Sequence, residues 1–222
     1  MNRIVFAALA LLALPSAARA QGCVGAPVPE GRNALQLQGA TSTFSTSPEI
    51  DGTGIGAALR GNPRGILGYS AEYSFARVGG DDSPLHSGGA MLSLRAPLGG
   101  SRVAVCARGG AMASRLNVSA SATELDNLTC PVGIVLELPL AAGAGEVVPY
   151  VAPQYLFSST SGQVLGLDYD ESGNSIGVEA GVGVRVSRAA ITLGGSFSDL
   201  PDGLLAPAVP RQSFFLRVGV LF

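Results

Sequence analysis

The single histidine, His86, is the side chain best suited to act as a catalytic base in this chain. Ser83 and Ser87 lie beside it in the sequence and offer hydroxyl nucleophiles. Asp81 and Asp82 could orient the imidazole from the same segment. No G-x-S-x-G or similar motif accompanies these residues. We therefore predict that the protein is not an enzyme, and we keep a surface hydrolase centred on His86 as an alternative hypothesis.

An acidic segment could bind a metal ion. Asp168, Asp170, Ser172 and Gly173, followed by Glu179, match the EF-hand spacing D-x-D-x-S-G-x5-E. An EF-hand needs a helix on each side, whereas Glu179 lies within a strand pattern, so a hydrated acidic loop is the expectation. A Ca²⁺ site limited to the two aspartates stays open. One His and three Cys are too few for the common zinc sites, and we predict no metal and no cofactor.

Composition excludes several other classes. The 222 residues are 47% hydrophobic and only 14% charged, which is too apolar for a disordered chain. All 14 basic residues are Arg, none of them in a basic cluster, and the net charge is −2. We therefore expect no nucleic-acid partner.

The N-terminus has the pattern of a secretory signal peptide. Arg3 is followed by an unbroken apolar segment, 4–14, and by the A-x-A site 18–20. The prediction is a cleaved signal peptide (1–20), a periplasmic N-terminal segment (21–33) and one further domain (34–222). Lipidation of Cys23 is an alternative that the residues before it fit poorly.

The positions of the candidate site residues depend on the strands that carry them. Along the chain, apolar residues alternate with polar or small residues with a period of two. The clearest segment is 176–186, IGVEAGVGVRV, in which one face is apolar and the other contains Gly, Glu179 and Arg185. Ten such segments are found: 34–45, 53–61, 67–75, 90–96, 102–109, 132–138, 147–158, 176–186, 189–198 and 214–222. Their number and length suit strands that cross a membrane.

The connections between these segments alternate between short and long. The longer ones are 46–52, 79–86, 115–129, 158–174 and 198–212. This alternation predicts an all-β fold, a transmembrane antiparallel up-and-down β-barrel of ten strands with short periplasmic turns and longer external loops. Eight strands and a soluble barrel are the alternatives. Eleven of the 16 acids fall in the longer connections: Glu49, Asp51, Asp81, Asp82, Glu124, Asp126, Asp168, Asp170, Glu171, Asp199 and Asp202.

The last strand ends on an aromatic residue and has apolar residues at alternate positions before it: Phe222, Val220, Val218, Leu216 and Phe214. This pattern resembles the assembly signal of Gram-negative outer-membrane barrels, and the chain is similar to small porin-like members of that superfamily. The resemblance implies location in the bacterial outer membrane, insertion by the barrel-assembly machinery and delivery by periplasmic chaperones. Lipid and lipopolysaccharide would surround a barrel that we expect to be a monomer.

The two-residue period assigns charged side chains to the barrel interior. They are Glu72, Glu137, Glu179, Arg60, Arg95, Arg102, Arg108, Arg185 and Arg217. Arg and Glu can pair inside a narrow barrel, which predicts a structural charge network. The excess of Arg would alternatively give a narrow, weakly anion-selective pore. Binding or transport of a small apolar ligand is a further alternative.

Three cysteines remain after cleavage of the signal peptide. Cys106 is placed near the periplasmic end of its strand, so Cys23 in the N-terminal segment could reach it. We predict a possible Cys23–Cys106 disulfide that ties this segment to the base of the barrel. Cys130 is expected near the external end and has no predicted partner.

Overall fold

The structure is a computed structural model that describes residues 23, 27–44, 50–79, 83–96, 103–118, 122–199 and 210–222. These residues form eleven strands and no helix. The strands are β1 (Arg32–Phe44), β2 (Ile50–Asn62), β3 (Leu67–Val78), β4 (Ser83–Arg95), β5 (Ala104–Val118), β6 (Thr123–Glu137), β7 (Leu140–Ala142), β8 (Gly145–Val164), β9 (Leu167–Val186), β10 (Ala189–Asp199) and β11 (Gln212–Leu221). The described residues contain no helix long and apolar enough to cross a membrane.

The sheet closes on itself as a barrel. Most strands pair antiparallel with their neighbours in sequence, and the first and last strands also pair, from Ala34↔Leu221 to Thr43↔Gln212. β6 pairs directly with β8, and the three-residue β7 continues β6 along β8 in the same register, from Glu137↔Tyr150 to Leu140↔Val147, so β6 and β7 occupy one position in the ring. The barrel therefore has ten strands, as predicted, and closure removes the unpaired edges that an open sheet would expose.

Side chains alternate between the interior and the outer surface on every long strand. On β11, Phe214 is 59% exposed on the outside and Arg217 is 6% exposed in the interior. The outer surface is covered by apolar side chains such as Leu37, Leu92 and Leu193. This alternation follows directly from the pleat of the strands.

One end of the barrel combines the strand termini with tight turns. β1 begins and β11 ends there, and the two-residue turns 143–144 and 187–188 join neighbouring strands at the same end. Gly143 adopts φ 58°, a left-handed conformation that glycine tolerates without strain. This end corresponds to the predicted periplasmic side.

At the opposite end, two predicted loops are instead continuous strands. The segments 115–129 and 158–174 extend the hairpins β5–β6 and β8–β9, leaving only 119–122 and 165–166 between strands. Those two loop predictions were wrong, because a segment was assigned to a strand only where apolar residues occupy alternate positions. The backbone pairing continues through these segments, and inward-facing Asn, Thr and Ser side chains add hydrogen bonds between β6 and β8.

The tall hairpin β8–β9 has one free edge among the described residues. β10 pairs with β9 only as far as Asp199↔Ile176, so Leu167–Ser175 of β9 pairs with β8 alone. This edge carries Asp168, Asp170 and Glu171, all exposed. Charged side chains on an edge strand oppose pairing with another sheet. The acids predicted in loops therefore lie partly on strands.

The N-terminal segment enters the periplasmic end of the barrel. Val28 is fully buried against Ala34 and Leu221. Its carbonyl accepts a hydrogen bond from the Asn62 amide at 3.2 Å. A Cβ added at Gly183 would lie 2.6 Å from Cδ of Pro27, so this glycine leaves room for the segment. The segment predicted as periplasmic thus lies partly inside the barrel, and its last two residues already belong to β1.

Candidate functional site

A layer of charged side chains crosses the barrel interior and is centred on Glu179 of β9. Arg108 Nη1 lies 3.2 Å from Glu179 Oε2, and Arg217 Nη1 lies 3.4 Å from Oε1. The hydroxyl of Tyr150 donates a hydrogen bond to Oε1 at 2.9 Å. One carboxylate from β9 therefore joins side chains of β5, β8 and β11, and we call Glu179, Arg108, Arg217 and Tyr150 the Glu179 cluster.

Neutral side chains orient the two guanidinium groups of the cluster. Arg108 Nη2 donates to Gln154 Oε1 at 2.6 Å, and Arg217 Nε donates to Gln38 Oε1 at 2.7 Å. The ring of Phe215 lies 3.8 Å from the Arg217 guanidinium carbon, which is a cation–π contact. Beside the cluster, Arg60 and Glu72 form a separate pair at 3.5 Å. Both arginines of the cluster are thus fixed in orientation.

A second ion pair lies nearer the periplasmic end, where Arg185 Nη2 is 3.2 Å from Glu146 Oε2. Glu146 is not among the predicted interior charges, because the strand pattern was assigned only from residue 147 onward. Tyr150 and Gln154 were also missed, because both faces of 147–158 carry apolar residues and the period gives no inward direction. The one available signal for the inward face of this strand was Glu146 itself, a charged residue two positions before Val148 on the same face.

The remaining predicted interior charges lie toward the periplasmic end. Glu137 is 1% exposed on the inner face of β6 and pairs in register with Ala104. Arg95 is half-buried at the end of β4, in register with Cys106. Arg102 lies outside the described residues.

The described interior carries a positive excess of one. Five arginines face inward (Arg60, Arg95, Arg108, Arg185, Arg217) against four glutamates (Glu72, Glu137, Glu146, Glu179), which gives 5 − 4 = +1. Facing these groups inward avoids a cost of about 2–4 kcal/mol for each Arg placed on the lipid face at mid-membrane.

A partly open cavity of about 220 Å³ lies in the interior, on the outer side of the charged layer. It extends from Phe44, Ser198 and Pro210 at the outer strand ends, past Arg108 and Arg217, to Cys23. Serines line much of its wall: Ser42, Ser70, Ser74, Ser87, Ser93, Ser196, Ser198 and Ser213. The wall therefore combines hydroxyl groups with apolar side chains, and a charged layer lies near its inner end.

At the inner end of this cavity, Cys23 and Cys106 are bonded through their sulfurs, with their Cα atoms 6.1 Å apart. Both are fully buried among Ala104, Val135 and Tyr150. The bond fixes the N-terminal segment inside the barrel, where Tyr150 also contributes to the Glu179 cluster. Cys130 is a free thiol on the outer face of β6.

Comparison with known proteins identifies the fold. The translocator domain of the autotransporter NalP from Neisseria meningitidis is 12% identical with a TM-score of 0.52, over 86% of this chain and 87% of that one. The β domain of the Bordetella autotransporter BrkA is 10% identical with a TM-score of 0.51, over 86% and 98%. No family model and no curated protein matches.

The chain is an outer-membrane β-barrel by fold. Its closed ring of ten strands and its apolar outer surface are those of a barrel that spans a bilayer. The two autotransporter domains share this fold with the chain.

His86 of this outer-membrane barrel lies on β4, not in a loop as predicted. Its side chain is on the outer face, 2.7 Å from the hydroxyl of Tyr73 and packed edge-on against Phe75. Ser83 and Ser87 are on the opposite face, and Ser87 lines the interior cavity. The strand period thus separates the base from both serines, and the Ser–His arrangement of the hydrolase hypothesis does not form. Asp81 and Asp82 lie outside the described residues.

The acidic segment of the outer-membrane barrel does not form an EF-hand. Asp168 and Asp170 are exposed on β9, and Glu179 is in the interior on the same strand. Within the described ranges, no group of three or more His, Cys, Asp or Glu side chains is placed to hold a metal ion. Glu124 instead pairs with Arg115 on the outer face of β5. Glu49 and Asp202 lie outside the described residues.

Proposed function

We propose that the protein is a non-enzymatic outer-membrane barrel that forms a narrow, weakly anion-selective conduit, closed at its periplasmic end while the Cys23–Cys106 disulfide is intact. The observation that carries this proposal is the shape of the interior cavity, which passes Arg108 and Arg217 and ends at Cys23. An ion entering from outside would meet the charged layer first and the N-terminal segment second.

The charge of the layer supports weak anion selectivity. Arg60, Arg108 and Arg217 surround two carboxylates, Glu72 and Glu179. Rings of Arg favour anions in a pore, but pairing with carboxylates reduces the field that an ion experiences. A single excess charge therefore predicts a modest preference and small conductance steps.

The N-terminal segment supports closure. It is held by the disulfide, by the hydrogen bond from Asn62 to Val28, and by the contact of Pro27 with Gly183. The disulfide is the only covalent one of these three restraints. In its absence the hydrogen bond and the apolar contact remain, and a net hydrogen bond contributes only about 1 kcal/mol.

Conductance in a planar bilayer tests the proposal. Refolded protein with an intact disulfide should give few or no steps. The same protein under reductant, or as Cys23→Ser, should give small steps with an anion-selective reversal potential in a salt gradient. Cys130→Ser is the matched control, because it removes a thiol that lies outside the interior, and it should behave as the parent.

Two results would decide against this function. Equal steps in the oxidised and reduced protein would mean that the N-terminal segment does not close the barrel. If Cys23→Ser folded into a heat-modifiable barrel and gave no conductance steps, the proposal of a conduit would be wrong, and the charge network would have a structural role.

A further inference from the structure

We propose that the outer cavity binds a small organic anion with an apolar body, whose carboxylate contacts Arg108 and whose body lies against apolar side chains further out. This site uses the part of the interior beyond the N-terminal segment, so it does not depend on conduction or on the closure proposed above.

The anion requirement follows from the charge and hydrogen bonding of Arg108. Its side chain is 7% exposed, and its Nε has no hydrogen-bond partner among the described residues. Its two terminal nitrogens already contact Glu179 and Gln154. The Nε atom is inaccessible from the cavity, so an entering carboxylate would meet the second N–H of a terminal nitrogen, and it would compensate the excess positive charge that is costly to bury.

The apolar body follows from the side chains one or two layers outward of the arginines. Met112 lies four residues beyond Arg108 on the inner face of β5, and Met91 and Leu156 line the cavity from β4 and β8. Phe215 covers the neighbouring arginine. An inorganic anion would gain nothing from these groups, whereas burial of apolar surface stabilises an organic one by about 25 cal/mol per Å².

The volume limits the size of the ligand. A cavity of 220 Å³ is smaller than the usual range of about 300–1,000 Å³ for sites of drug-sized molecules. The site therefore suits a compact monocarboxylate such as benzoate, and a long acyl chain would exceed it.

Calorimetric titration of the refolded, disulfide-intact protein in non-ionic micelles tests the proposal, with benzoate, benzamide and inorganic phosphate as probes and empty micelles as the blank. Benzoate should saturate one site. Benzamide, which has the same ring without the charge, should bind at least about tenfold more weakly, because a charge-assisted hydrogen bond is lost. Phosphate should bind more weakly still, because it lacks an apolar body.

Two variants locate the site. Arg108→Met should weaken benzoate binding at least tenfold, whereas Arg115→Gln removes an exposed arginine of the same strand and should leave binding unchanged. Met112→Phe fills the cavity without altering the charged layer, so it tests the site even if Arg108→Met fails to fold. It should also weaken benzoate binding at least tenfold.

Several outcomes would overturn the proposal. Equal affinity for benzoate and benzamide would remove the anion requirement, and phosphate binding as tight as benzoate would remove the apolar one. Unchanged benzoate binding in folded Met112→Phe, or no binding to the parent protein, would eliminate the site. None of these results bears on conductance, so the proposed conduit would stand or fall separately.

Discussion

Replacing Glu179 by Gln should be the most destabilising single charge removal in the barrel. The carboxylate contacts Arg108 at 3.2 Å and Arg217 at 3.4 Å, and both guanidinium side chains are 7% exposed. The substitution keeps the volume and leaves two buried cations without an anion. Removing one partner of a buried ion pair typically costs about 3–5 kcal/mol.

The lower end of that range applies, because Glu179 is 15% exposed toward the cavity and water can approach the arginines. A loss of about 3 kcal/mol changes the folding equilibrium by roughly a hundredfold. With a urea dependence of about 2 kcal/mol per molar, the unfolding midpoint should fall by about 1.5 M. The assay is the heat-modifiable band shift of refolded barrel across a urea series.

Glu72→Gln is the matched control. Glu72 also faces the interior, but it makes one ion-pair contact, at 3.5 Å, and is 29% exposed, so about 1 kcal/mol is expected. Combining Glu179→Gln with Arg217→Met should restore part of the loss, since coupled neighbours are not additive. An equal midpoint shift for Glu179→Gln and Glu72→Gln would refute the reasoning that one carboxylate compensates two buried cations.

Three other substitutions test the outer face, the N-terminal segment and the C-terminal strand. Leu216→Arg places a charge on the lipid face and should destabilise the folded barrel by about 2–4 kcal/mol in urea, whereas Gln212→Arg, on the same face at the outer strand end, should cost about 0–1 kcal/mol. Gly183→Leu should displace Pro27 and raise the conductance of the oxidised protein. Gly39→Leu is the control, because its Cβ would meet nothing within 4 Å, and it should not change the conductance. If neither variant raised the conductance, the packing of Pro27 against Gly183 would be contradicted. Phe222→Ser should lower the yield of barrel folded into the outer membrane, measured by surface protease shaving, and normal yields would show that the terminal aromatic residue is not an assembly signal.

The inward direction of the charged side chains could be predicted where the two faces of a strand differ. On 176–186 and 214–222 one face is apolar and the other is small or charged, so Glu179 and Arg217 could be assigned to the interior. On 147–158 both faces carry apolar residues, because the inner face there packs against the N-terminal segment. A two-residue period gives no direction in such a strand, and Tyr150 was missed for this reason.

The contacts within the interior could not be predicted even where the direction was right. Which arginine reaches Glu179 depends on the stagger between strands that are not adjacent, and periodicity carries no information about it. Arg108 is on β5 and Glu179 is on β9, with β6 and β8 between them in the ring. The outer extensions of β5 and β8 were missed for a different reason, since apolar residues do not alternate regularly there and inward-facing polar side chains hydrogen-bond between β6 and β8.

The charged layer connects the two proposals, because Arg108 lines the cavity that also reaches Cys23. An organic anion seated on Arg108 would occupy the path that ions take once the N-terminal segment is released. Benzoate added to the outer side of Cys23→Ser should therefore lower the conductance, with half of the effect at the concentration that half-saturates the calorimetric site. Benzamide should have little effect at that concentration.

Met112→Phe in the same Cys23→Ser background should weaken the block by benzoate in proportion to its weaker benzoate binding. A block of unchanged strength in that variant would mean that benzoate acts outside the cavity, and that the conduit and the anion site do not overlap.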